Sequence, residues 1–315
     1  MRPTGGLLSH PKWTAIGCAL AATGLGLAYM MAAGAPLRYL AINAGALVLG
    51  IGLAGLLTVM RRTVRHEGGL GTLAMGIFLV ASSLFGVTVN GATRWVILGG
   101  FSLQPSLLFI PVMVVQFAHS RDSFSTWGLA LAGVAMGLQP DRSMAGVLVV
   151  GLMVGAVLRL ERRVLIALAV ALAGFVATLI RIDVQPAMPF VDQIFFSSFE
   201  VHPLAGLAVC GGAVLLLFPA FFGRAGDADT GRARVAFGAI WLAVIIAAAL
   251  GNYPTPVVGY GGSAIIGYVL SSVPLSAITA NTAERKGVLP GPARDDRDPL
   301  GDMRNNRDLS PVGPF

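Results

Sequence analysis

The stretch "NGATRWVILGGFSLQPS" runs from Asn90 to Ser106, between two segments apolar enough to cross a membrane. A plain connector needs only a few polar residues. This one carries Arg94, Trp95, the pair Gly99-Gly100 and the run Gln104-Pro105-Ser106. Trp95 suits a membrane interface, and the glycine pair marks a turn. The stretch therefore reads as a shaped platform, re-entrant or packed on the surface, and not as a free connector.

The flanking segments belong to a chain of 315 residues that is 55% hydrophobic and 12% charged, with a mean hydropathy of +0.77. Soluble domains carry roughly 25% charged residues. A soluble fold of this size could not hide so much apolar surface, so the bilayer is the expected solvent. The 41 glycines agree, because small residues let membrane helices approach closely. A net charge of +7 and a pI near 10.1 do not point to nucleic acid here. The basic residues cluster at the ends of apolar segments, without interleaved aromatics. Cys18 and Cys210 both lie inside apolar segments and read as small packing residues. The first apolar run is long and has no convincing cleavage site, so it reads as a membrane helix.

Apolar runs of spanning or near-spanning length fall at about 13–33, 39–60, 70–89, 104–119, 125–139, 143–158, 163–182, 201–222, 235–251 and 257–279. An all-α polytopic membrane protein of about ten helices is expected. The fourth and fifth runs carry Pro or polar breaks, so one of them is expected to be tilted or partly unwound. With both termini cytoplasmic, 18 of the 22 Lys and Arg fall inside, leaving Arg38, Arg94, Arg142 and Arg181 outside. The opposite orientation violates the positive-inside bias. From about Asn281 the chain turns rich in Pro, Asp, Arg and Asn. The expected organisation is a membrane domain over 1–280 and a disordered cytoplasmic tail over 281–315.

In this orientation the outer side collects the unusual loops. They are the Asn90 stretch, "LQPDRS" with Asp141 and Arg142, "RIDVQPAMPFVDQIFFSSFEVHPLAG" with Asp183, Asp192, Glu200 and His202, and "GNYPTPVVGYGGSA". Four carboxylates and several arginines there could form a polar cleft. Simpler readings stand beside that one. Arg94 and Arg142 fit snorkelling to headgroup level. Asp141 fits an N-cap, His202 before Pro203 fits a helix start, and Tyr260–Ser263 fits a tight turn with Ser263 as cap. Asp192 and Glu200 are eight positions apart. On a helix that is about two turns, on one face. Ionisable groups at membrane depth are costly and mark function.

Together these loops resemble the SEDS family (FtsW, RodA, SpoVE). Its signature reads N-G-A-R-R-W-I-x-L-G-x-F-x-x-Q-P-S-E, against "NGATRWVILGGFSLQPS" here. "LQPDRSMA" is similar to the family's L-Q-P-D-x-G-T-A, and "PTPVVGYGGSA" to its P-L-P-F-x-S-Y-G-G-S-S. The resemblance covers roughly Asn90 to Leu275. The family's catalytic aspartate sits in H-T-D-F-I-F-A-V-I-A-E-E-L-G-F-x-G, and "FVDQIFFSSFEVHPLAG" places Asp192 there, with Glu200 on the first glutamate. Phe190 and Val191 replace the family's His-Thr, and the loop is short. After Q-P-S the family has Glu, and Lys three residues beyond. Here those positions are Leu107 and Ile110.

The resemblance implies a peptidoglycan glycosyltransferase polymerising lipid II at the outer face of the cytoplasmic membrane, usually with a class B penicillin-binding protein. Asp192 would be the catalytic base. Arg94, Trp95, Gln104, Ser106, Asp141, Glu200, Tyr260 and Ser263 would bind substrate, with Arg94 first, and Arg142 second, to steady the leaving pyrophosphate. No metal-ligand spacing is evident, although a divalent cation such as Mg²⁺ could contribute. Leu107 and Ile110 favour a rival reading, a non-catalytic homologue that scaffolds a cell-wall synthase. A flippase for lipid-linked oligosaccharide and a polymerase for another lipid-linked sugar are further alternatives.

Overall fold

In the computed structural model the described residues are 11–63, 68–89, 91–99, 101–181, 185–222 and 228–275. The tail expected over 281–315, and Asp183, lie outside them. The apolar runs fold as helices: α1 (Pro11–Ala32), α2 (Leu37–Thr63), α3 (Gly68–Phe85), α4 (Pro105–His119), α5 (Ser123–Leu138), α6 (Arg142–Leu158) and α7 (Arg162–Ile180). They continue as α8 (Ile194–Val201), α9 (Pro203–Leu215), α10 (Phe218–Phe221), α11 (Ala228–Leu250) and α12 (Gly262–Ser271). Six spans are long and apolar enough to cross a membrane, and four shorter apolar helices accompany them among the described residues.

The platform is a small sheet. β1 (Val87–Val89), β2 (Ala92–Leu98) and β3 (Phe101–Leu103) are antiparallel in the order β1-β2-β3. Val87 pairs with Trp95, and Val96 with Leu103. Gly91 (φ +79°) and Gly99 (φ +57°) make the two turns in the left-handed region that glycine adopts without strain. The expected run over 70–89 is corrected accordingly. The helix stops at Phe85, and Val87 and Val89, β-branched around Thr88, go into strand. This sheet marks one end of the bundle, called the sheet end below.

The eighth run is also corrected. Expected over 201–222, it starts at Pro203, since proline has no N–H to continue α8, and consists of α9 and the short α10, which together make one span (Pro203–Phe221). His202 starts α9 as expected, its Nδ1 accepting the Leu204 N–H at 3.1 Å. The last helix begins at Gly262 and not near 257, after a loop punctuated by Pro254 and Pro256. α4 is one continuous helix despite Pro111 in its interior.

Close packing positions the rest. α5 lies between α3 and α7, and glycines set the spacing. A methyl group on Gly76 would stand 2.3 Å from the Gly128 carbonyl oxygen, and one on Gly174 would stand 2.1 Å from that of Gly133. Such backbone-to-backbone approach is how helices associate where lipid removes the hydrophobic drive. α4 is the central helix, with Ile110, Met113 and Val115 fully buried. It contacts α11 and α12, and α12 also packs on α2. Two buried polar groups of this core pair across helices. Trp241 Nε1 donates to Ser271 Oγ (3.1 Å), and the Tyr268 hydroxyl donates to the Leu216 carbonyl (3.0 Å).

Candidate active site

Three of the sequence motifs converge at the sheet end. Asp141 is fully buried and caps α6. Its Oδ1 accepts Met144 N–H (3.2 Å) and Ser143 Oγ (3.1 Å). Its Oδ2 accepts Ser106 Oγ (2.9 Å) and Gln104 Nε2 (3.0 Å). Gln104's own N–H donates to Ser263 Oγ at 2.9 Å. So Gln104, Ser106, Asp141 and Ser263 are brought together as a buried lock between α4, α6 and α12. Ser263 does not cap α12 as the turn reading expected; Gly261 holds that position.

Arg94 is 4% exposed, and its guanidinium donates to the Pro140 carbonyl. It ties the sheet to the turn before Asp141. Snorkelling to headgroup level is thereby corrected for Arg94, and neither described cavity counts it among its lining residues. Trp95 is half-buried on β2.

A second cluster carries Asp192. The loop before α8 docks on the loop before α12 through Thr255 N–H to Val191 O (2.9 Å), Tyr260 N–H to Phe190 O (2.7 Å), and a bridge between Asp192 and Pro254. Phe190 (φ +65°) and Gln193 (φ +56°) flank Asp192 in the left-handed region, and Val257 (φ +67°) does the same in the facing loop. Non-glycine residues pay strain there, and such strain collects at functional sites. Asp192 is half-buried, and its Oδ2 accepts Met188 N–H at 2.8 Å. Burial raises its carboxyl pKa above the ordinary aspartate value, while the Met188 hydrogen bond opposes that rise.

Glu200 is corrected. The left-handed turn at Gln193 starts α8 only at Ile194, so Asp192 and Glu200 share no helix face, and Glu200 is exposed near the end of α8. Tyr260 is half-buried and stacks on Tyr39 of α2 (3.9 Å, 13°), with Phe190 edge-on to Tyr39. Burial, and then the neighbouring Tyr39 phenol, hold the Tyr260 hydroxyl pKa above its usual range, with Arg38 opposing.

Sequence reasoning missed Asn43. It is fully buried on α2, donates Nδ2–H to the Gly259 carbonyl (2.8 Å) and accepts Gly261 N–H on Oδ1 (3.1 Å). It clamps the loop that holds Asp192. The signal was an amide in the middle of an apolar run.

Leu107 (4% exposed) and Ile110 (0%) fill the N-terminal half of α4 with apolar side chains. Installing a pair there as Leu107→Glu with Ile110→Lys is expected to be tolerated better than either change alone. One unpaired buried charge costs about 3–5 kcal/mol. Membrane-inserted yield and melting temperature of the three variants rank them. A double variant worse than both singles would refute the pairing argument. Among the described residues no group of three or more His, Cys, Asp or Glu could hold a metal ion, so no step is routed through one.

The bundle is a polytopic helical membrane fold capped by a small sheet, with its polar residues gathered beneath that cap. Solved structures share this fold. The rod shape-determining protein RodA of Thermus thermophilus aligns at 24% identity and a TM-score of 0.59, covering 85% of this chain and 96% of that one. A chain from a peptidoglycan synthase complex that coordinates polymerization and crosslinking aligns at 24% identity and 0.57, covering 85% and 97%. The fold of this chain is therefore SEDS-like. The sequence matches no protein-family model and no curated protein.

Proposed function

We propose that this protein is a glycosyltransferase that polymerises a lipid-linked cell-wall sugar at the outer face of the cytoplasmic membrane, with Asp192 as its general base. The observation that carries this reading is the state of Asp192. It is a half-buried carboxyl with a raised pKa, held between two strained residues in a docked loop. A base poised closer to working pH accepts a proton more effectively in the transition state. Asp192 would take the proton from the acceptor sugar hydroxyl as that oxygen attacks the donor's anomeric carbon. The lipid diphosphate leaves from the opposite face of that carbon. Asn43 and the Tyr39–Tyr260 stack would keep the Asp192 loop in place, and the lock around Asp141 would hold the three motif segments together. Lipid II is the donor and acceptor that fits the fold's resemblance. A class B penicillin-binding protein is the partner that would crosslink the product. The test is polymerisation of labelled lipid II by the purified protein, with and without such a partner. Long glycan strands support the reading. No product under either condition, with the protein folded, overturns it.

The orientation has its own test. In a background with Cys18 and Cys210 replaced by alanine, Met188→Cys at the sheet end is expected to react with an impermeant thiol reagent on spheroplasts. Leu160→Cys, exposed at the opposite end, is expected to stay unlabelled. Both positions are well exposed, at 54% and 70%. The reverse pattern would put Asp192 inside and remove the site.

The apolar packing of Leu107 and Ile110 favours a second reading, a non-catalytic scaffold for a cell-wall synthase. That reading predicts that Asp192→Asn still complements a deletion strain.

A further inference from the structure

α6 packs against both α7 and α11, but α7 and α11 hardly meet, so a groove runs between them with α6 as its floor. Its volume is about 720 Å³. That lies within the range of about 300–1,000 Å³ in which proteins hold whole small ligands. Val150, Val154, Phe175, Leu242 and Ile246 make its body apolar. Val150, Leu242 and Ile246 are also exposed, so the groove opens sideways, where lipid chains lie in a bilayer.

The groove ends in a cation. Arg142, at the sheet end, donates one guanidinium nitrogen to the Thr178 carbonyl (3.4 Å) and the Arg181 carbonyl (3.2 Å) at the end of α7. These bonds fix the side chain at the groove. Its Nε is buried and has no hydrogen-bond partner among the described residues. No lining residue is acidic. A buried charged donor left without an acceptor is costly, and a guanidinium is best answered by a phosphate or carboxylate oxygen. Asn252 and Tyr253 line the same end. They belong to the loop on which Asp192 is docked, and Gln193 Nε2 donates to Asn252 Oδ1 at 2.6 Å.

We infer that this groove binds a long-chain lipid diphosphate, with its chain along Val150, Leu242 and Ile246 and a diphosphate oxygen on Arg142 Nε. The choice of a diphosphate rests on the transferase reading, in which the groove holds the donor's lipid and leaving group. The cation for the departing diphosphate is then Arg142, while Arg94 stays buried on the Pro140 carbonyl.

The test is equilibrium binding to the purified full-length protein in nanodiscs of zwitterionic lipid. The probes are undecaprenyl diphosphate, undecaprenol, inorganic pyrophosphate and phosphatidylglycerol. Undecaprenyl diphosphate is expected to bind saturably, and each of the other three at least about tenfold more weakly, the usual worth of one lost charged or apolar contact set. Arg142→Gln is expected to weaken undecaprenyl diphosphate about tenfold or more, and Arg142→Lys less. Ala243→Phe fills the groove away from Arg142 and is expected to weaken it as well. Melting temperatures separate lost binding from lost fold. Equal binding of pyrophosphate would mean a free anion site. Equal binding of phosphatidylglycerol would mean a general anionic surface. Either result, or normal binding by both Arg142→Gln and Ala243→Phe, overturns the inference. Polymerisation is scored separately. A polymerising protein whose groove variants bind normally refutes the groove alone. A protein that binds through Arg142 but never polymerises refutes the transferase reading alone.

Discussion

Asp192→Asn is expected to lower glycan polymerisation by about 10²–10⁴-fold, the usual loss when a positioned base is removed. The fold should survive. Asn is nearly isosteric, and its Oδ1 can still accept the Met188 N–H that now binds the Asp192 carboxylate. What Asn cannot do is take the acceptor's proton. The pH profile separates a chemical role from a structural one. The base works deprotonated, so the wild-type rate should fall as pH drops through the Asp192 pKa. Burial places that pKa above the ordinary aspartate value, so the acid limb should appear at higher pH than for a free aspartate. In Asp192→Asn the residual rate should lose this limb. An Asn variant with normal polymerisation, or with an unchanged acid limb, would remove Asp192 from the chemistry.

The largest expected effect on stability is at Asp141. Its four acceptor contacts come from Gln104, Ser106, Ser143 and Met144, and all but the Ser143 contact are buried. Asp141→Ala leaves those donors without an acceptor. Each buried donor left unpaired costs about 1–3 kcal/mol, so a total loss of at least about 3–5 kcal/mol is expected even after partial relaxation. That is a large part of a typical domain's stability, and the variant should accumulate poorly and melt early in detergent. Asp141→Asn keeps one acceptor oxygen but turns an amide toward the donors, so it should fall between. Glu200→Gln, on an exposed side chain, should stay within about 0.5 kcal/mol of wild type. An Asp141→Ala protein that melts with wild type would mean that the lock contributes nothing to the fold.

The helical bundle was legible because the apolar runs are many and mostly long, and lipid leaves helices as the solution for an exposed backbone. The strands were not. Val87 and Val89 continue the apolar run of α3, and the buried residues of β2 are Ala92 and Arg94, which give no hydrophobic alternation. The start of the eighth span was legible in principle, since Pro203 bars continuation from α8. The one-face reading of Asp192 and Glu200 failed for a backbone reason. Gln193 is left-handed, and nothing in its side chain announces that. Of the motif residues Gln104, Ser106, Asp141 and Ser263 meet, and they face one another and not an open space. Sequence spacing shows which loops meet but not which way each side chain turns. Asn252 and Tyr253, at the groove's rim, sit in a loop whose glycines and prolines drew attention first.

The placement of α12 has a consequence for biosynthesis. A ribosome delivers the helices in order, and α12 is the last of those described. Until it arrives, the Gln104 N–H has no Ser263 hydroxyl, and the Asn43 amide has neither Gly259 nor Gly261 to bond. Both α2 and α4 also lack one of their packing neighbours. A nascent chain halted before residue 259 would therefore present unpaired amides at membrane depth, a state costly enough to mark it for disposal. α12 works as a latch on assembly, so a truncated product is not expected to persist as a partly folded competitor of the finished protein.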